Sequence, residues 1–142
     1  MKLHKLDDKL SVAAQIAPGD ARAIAQGGAR TLINNRPDNE EPNQFSHDDA
    51  RTEAEAVGLS YLYQPVTTPT IDRAAIDAFA DSVAQSPGPV VAHCRSGTRC
   101  YLLWAAGKVL RNGADPETLI SEATGRGFDI TALRGVLERT KK

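Results

Sequence analysis

Short runs of β-branched and aliphatic residues recur along the chain, each closed by Gly, Pro, Asn or Asp and followed by a segment with helical spacing of apolar positions. Leu10-Ser11-Val12-Ala13-Ala14-Gln15-Ile16 predicts a strand over 10–16; Pro18-Gly19 ends it, and Asp20 reads as the N-cap of a helix reaching Gln26. Gly27-Gly28 stops that helix, and Arg30-Thr31-Leu32-Ile33-Asn34 predicts a second strand. It runs into Asn35-Arg36-Pro37-Asp38-Asn39-Glu40-Glu41-Pro42, a turn-rich surface excursion. Ser46 then caps a helix to about Val57, Tyr61 to Val66 predicts a third strand, and residues 67–70 predict a loop before a helix over 72–85. After Pro87-Gly88-Pro89 come a strand over 90–93, a loop over 94–98 and a helix over 99–111. Asp115-Pro116-Glu117 starts another helix to Ala123, and the last begins at Asp129 or Thr131 and ends near Arg139.

Strands that alternate with helices predict an α/β fold, a single domain over residues 1–142 with a mainly parallel central sheet flanked by helices. Ligands of such sheets bind at the carboxyl ends of the strands, where Cys94 and the 34–38 turn both lie.

Charge adds little to this picture: 17 Lys and Arg face 18 Asp and Glu, and the pI is about 6.3, so neither nucleic acid nor an anionic membrane is expected as a partner. The N-terminal ten residues lack the uninterrupted apolar core of a signal peptide. Two cysteines, Cys94 and Cys100, are too few for a disulfide scaffold or a four-ligand zinc site; they suit a reducing cytoplasm. No His and carboxylate cluster has metal-ligand spacing, so the expected chemistry uses no metal and no cofactor.

The candidate chemistry lies in Val90-Val91-Ala92-His93-Cys94-Arg95-Ser96-Gly97-Thr98-Arg99. A cysteine ending a strand just before a helix meets two conditions that favour its thiolate, a helix N-terminus and neighbouring guanidinium groups. The amides of Arg95, Ser96, Gly97 and Thr98 can cradle an oxyanion, and Arg99 can clamp two of its oxygens. A buried structural cysteine would not need this glycine or these arginines.

His93-Cys94 with Gly97 and Arg99 resembles the signature of the cysteine-dependent phosphatases and of the rhodaneses. Tyrosine and dual-specificity phosphatases have five residues between cysteine and arginine; here there are four, which gives the six-residue loop of rhodanese-type sulfurtransferases. The Thr31–Asp38 stretch, Tyr61 to Val66, Pro87 to Arg99 and Gly127-Phe128-Asp129 together resemble the phosphatase-like domain of the β-lactamase-hydrolase-like proteins, a family also catalogued among sulfur transferases. That resemblance implies a dual-specificity-phosphatase-like fold, Cys94 as nucleophile, Arg99 as oxyanion clamp and His93 as a buttress behind the loop. It also implies a functional link to a persulfide-dioxygenase-type metallohydrolase, a domain fused in some members.

Two departures favour sulfur chemistry. Where the phosphatases carry their general acid, this chain has Thr67-Thr68, leaving Asp72, which also reads as a helix N-cap, and Asp38 as candidates. Where they carry a hydroxyl next to the arginine, it has Cys100, either an inert helix residue or a resolving thiol able to form a disulfide with an oxidised or persulfidated Cys94. Asn35, Arg36 and Asp38 either form a local Asx-type turn or line the rim of the site. His93 fits a structural histidine better than an acid or base, His4 and His47 look isolated and solvated, and Trp104, Leu103 and Leu110 look like core. The first expectation is therefore a sulfurtransferase with a Cys94 persulfide, fed by thiosulfate or a persulfide. The alternatives are a phosphatase with a Cys94 phosphocysteine, acting on a phosphorylated substrate, and a catalytically weak module that binds phospho-ligands.

Overall fold

The computed structural model describes residues 1–140, and they build the expected three-layer α/β sandwich around a five-stranded sheet. The strands are β1 (His4–Lys5), β2 (Leu10–Ala13), β3 (Thr31–Asn34), β4 (Ser60–Tyr63) and β5 (Val90–His93), in spatial order β1-β2-β5-β3-β4. β2, β5, β3 and β4 are parallel, and β1 pairs antiparallel with β2 at one edge. The helices are α1 (Asp20–Gln26), α2 (His47–Ala56), α3 (Arg73–Gln85), α4 (Thr98–Asn112), α5 (Pro116–Gly125) and α6 (Leu133–Thr140).

Successive strand side chains point to opposite faces, and both faces are covered. Val12, Ile33, Val90 and Ala92 pack with α3 to α6; Ala13, Leu32, Tyr61 and Val91 pack with α1 and α2. This two-sided burial is why the central strands β3 and β5 contain no exposed position, even at the polar Thr31, Asn34 and His93.

The register brings Ala13, His93, Asn34 and Tyr63 level with one another at the ends of their strands. The segments that follow these four residues therefore emerge side by side along one edge of the sheet, and they carry the candidate site.

Several boundaries differ from the sequence reading. β1 was not foreseen, since two residues among charges have no periodicity. β2 stops at Ala13 rather than 16, and β4 at Tyr63 rather than 66, because the chain leaves both ladders to bond the site loops. Gly19, in left-handed backbone, caps α1 in place of Asp20, whose carboxylate accepts the Ala17 amide at 2.8 Å. Residues 67–70, expected as plain loop, hold a 3₁₀ turn at Thr68–Thr70. Ser46, Asp72 and Asp115 cap α2, α3 and α5 as their side chains predict. Trp104 is half-buried, its Nε1–H donating to Asp7 at 3.2 Å. No helix of the described residues is long and apolar enough to cross a membrane.

Candidate active site

Cys94 follows β5 directly and is fully buried. Its amide donates to the Ala13 carbonyl at 3.4 Å, so the loop leaves the sheet while still tied to β2. The chain then turns back over the sulfur, and the Gly97 amide donates to Cys94 Sγ at 3.1 Å. That turn needs φ of +91° at Gly97, and a Cβ there would lie 3.1 Å from Phe128 and 3.5 Å from the Ala13 backbone. The backbone angle favours glycine, and a larger residue would also need Phe128 to give by a few tenths of an ångström.

α4 begins at Thr98, and its positive N-terminal end faces the sulfur. The Cys94 pKa is lowered to about 5, chiefly by a hydrogen bond from the Cys100 thiol; burial opposes this, and the amides of Cys100, Ser96 and Arg99 add to it. Cys100 shifts the opposite way, pushed well above the ordinary thiol range by burial and by donating to its neighbour. At neutral pH one cysteine is a thiolate and the other a thiol that stabilises it.

Arg99 is positioned by groups distant in sequence. Nη1 and Nη2 donate to Glu40 Oε2 and Oε1 at 2.9 and 2.8 Å, and Nη1 also donates to the Val66 carbonyl at 3.1 Å. A guanidinium has five N–H donors. Three are thus engaged, and the Nε–H and second Nη2–H have no partner among the described residues. These two lie on one edge of the plane, the side-on fork that grips two oxygens of an anion. Glu40, which the sequence reading passed over as loop, is held below the usual carboxylate range, first by its bond from Arg99, with Arg36 adding to it.

Other candidates have roles different from those expected. Arg36 is not on the rim: its side chain is wholly buried, with Nε on Glu40 at 2.8 Å and Nη1 on Gln15 at 3.0 Å and Glu41 at 3.3 Å. An Asx turn does form, but Asn34 makes it, accepting the Arg36 amide at 2.8 Å. Asn35 is buried too; it donates its amide to the His93 carbonyl at 2.9 Å and Nδ2 to the Gln64 carbonyl at 2.9 Å. His93 is buried, neither ring nitrogen has a hydrogen-bond partner among the described residues, and burial lowers its pKa to about 4, so it is neutral. Arg95 and Ser96 are exposed at the mouth of the loop, and Ser96 Oγ bonds Thr98 Oγ1 at 3.0 Å.

The structure gives both candidate acids other work. Asp38 accepts the His47 amide at 2.9 Å and faces His47 Nδ1 at 2.6 Å. Asp72 caps α3 through the Ala75 amide at 2.8 Å. His47 and His4 are not isolated: the first stacks on Tyr63 with ring centroids 4.0 Å apart, and the second meets the edge of Phe128 at 4.9 Å.

Residues 2–111 match the family described as the phosphatase-like domain of beta-lactamase hydrolase-like protein. Beta-lactamase hydrolase-like proteins of Agrobacterium fabrum and Xylella fastidiosa (strain Temecula1) are 35% and 34% identical to the chain over 98% and 92% of it. The chain spans about a third of the length of these curated relatives, 32% and 30%. A crystal structure from Neisseria meningitidis, described as that of a candidate phosphatase, is 35% identical, covers 94% of each chain and superposes with a TM-score of 0.84. PTPMT1, in complex with PI(5)P, shares the fold at 18% identity and a TM-score of 0.76, covering 96% of this chain and 92% of that one. The carboxyl-edge cysteine loop and this family match agree, and the chain belongs to the phosphatase-like domain family of the beta-lactamase hydrolase-like proteins.

Proposed function

We propose that the chain hydrolyses phosphate monoesters through a phosphocysteine on Cys94. The observation that carries this reading is a thiolate at the start of α4 beside an arginine whose side-on fork is open. The Cys94 sulfur attacks phosphorus, the S–P bond forms as the ester P–O bond breaks, and water then releases inorganic phosphate and restores the thiolate. Loop amides and Arg99 hold the equatorial oxygens, where charge is spread in phosphoryl transfer.

Sulfur transfer, the first expectation from the four-residue spacing, gains no support from the family description or the relatives, and neither does the link to a persulfide-dioxygenase-type partner. The phosphatase alternative fits both. Solved neighbours of the same fold hold phosphorylated ligands, PI(5)P in PTPMT1 and pTyr in P. aeruginosa TpbA, which supports a phosphorylated substrate here.

Asp38 and Asp72 are committed to His47 and to the α3 cap, and Glu40 is held ionised, so no proton donor is assigned to the leaving oxygen. Esters whose leaving group departs as a stable anion are therefore the expected substrates. Aryl phosphates should turn over faster than alkyl phosphates by about 100-fold or more, the usual worth of a missing general acid. p-Nitrophenyl phosphate and phosphoserine peptide assays, run beside thiosulfate with cyanide, test this. Thiocyanate formation without aryl phosphate turnover would return the site to sulfur transfer, and equal rates on both esters would require an acid.

A further inference from the structure

The cradle loop is held at both ends by groups outside it. At its first residue the Arg95 carbonyl accepts the Gln15 amide at 3.1 Å. At its last, Arg99 pairs with Glu40. Arg36 joins the two anchors: Nη1 donates to Gln15 Oε1 at 3.0 Å, and Nε donates to the same Glu40 Oε1 that Arg99 holds. Hydrogen bonds and the chain from 95 to 99 thus close into one circuit built from the segments after β2, β3 and β5. These are the segments that the strand register brings side by side.

We propose that Gln15 and Arg36 are positioning residues for the reaction at Cys94, fixing the distance between the two ends of the cradle and so the aim of Arg99. Three observations carry this, and it rests on the reading of Cys94 and Arg99 as an oxyanion site. Arg36 is fully buried, with Nη2 unpartnered among the described residues, an arrangement that costs stability, whereas an apolar side chain would fill the same space without that cost. Its planar fork reaches Glu40, Gln15 and Glu41 in fixed directions, which a lysine ammonium at the end of a flexible stem does not reproduce. Gln15 leaves the β2 ladder just where its amide meets Arg95, so the strand ends early to serve the loop.

The circuit makes the two residues interdependent. Arg36→Lys and Gln15→Ala should each lower kcat/KM on p-nitrophenyl phosphate by about 10- to 100-fold, as expected for a misplaced clamp. The double variant should be no worse than the poorer single variant, because either change opens the same circuit. Gln15 is half-exposed, so its variant folds even where a lysine at position 36 does not. Losses that simply multiply in the double variant, or singles within twofold of the parent, would overturn the proposal. Orthovanadate binding by calorimetry separates this failure from that of the phosphatase reading. If the parent turns over no ester yet binds vanadate, Gln15→Ala should still weaken that binding about 10-fold, and unchanged binding would overturn the positioning role.

Discussion

Two segments follow parallel strands at the same edge of the sheet, residues 94–97 after β5 and 67–72 after β4, and each leads into a helix. Their polar groups end in opposite conditions. In the second, Thr67 and Thr70 cap each other, Asp72 caps α3, and Arg139 reaches from α6 to the Thr68 and Ile71 carbonyls. In the first, amides converge on a buried thiolate and an arginine keeps two donors unspent. The same position in the fold gives a closed surface when the segment satisfies itself, and open donors when other segments hold it in place.

The largest test of that contrast is Cys94→Ser, which should lower aryl phosphate turnover by roughly four orders of magnitude, as loss of a nucleophile does. Vanadate affinity should persist, because the amides and Arg99 remain; activity surviving the change would move the reaction away from this loop. Cys100→Ala is the next largest. The parent thiolate persists down to about pH 5, where falling pH protonates it. Without the Cys100 thiol that limb should move up by about one pH unit or more, cutting kcat/KM at pH 6 by about twofold or more while leaving pH 8 nearly unchanged. A pH profile that does not move would assign the low pKa to the helix and the amides alone. The smallest effect belongs to the other segment. Asp72→Ala should leave kcat intact and lower Tm by about 3 to 5 °C, the cost of one N-cap. A fall of 100-fold in kcat, confined to alkyl esters, would make Asp72 the missing acid and erase the contrast.

Much of the fold was legible in local patterns. The β-branched and aliphatic runs over 31–33 and 90–92 mark strands covered on both faces, and Ser46, Asp72 and Asp115 announce their helices by side chains that reach nearby amides. Cys94, Gly97 and Arg99 were legible because their chemistry is packed into six consecutive residues. Glu40 was not, since its partner Arg99 lies 59 positions away and only its four-residue spacing from Arg36 hinted at a role. Gln15 was masked by the strand pattern around it, and Arg36, an arginine in a Pro- and Asn-rich loop, gave no sign of complete burial. What escaped the sequence is what depends on strand register across the sheet.

The ring of amides around Cys94 also has a bearing on how such a site can diversify. A peptide N–H is the same donor whichever side chain its residue carries, and the bonds that tie the loop to its surroundings run to Ala13, Gln15 and Glu40. Arg95, exposed at the mouth, is consequently free to vary in charge and size without altering the amides of the loop, whereas Ser96 Oγ accepts the Thr98 amide at 3.4 Å. Gly97 has no such latitude, pinned by its backbone angle and by Phe128. On the proposed phosphatase reading, randomising position 95 is therefore the economical route to changing which ester is selected while keeping the chemistry beneath it.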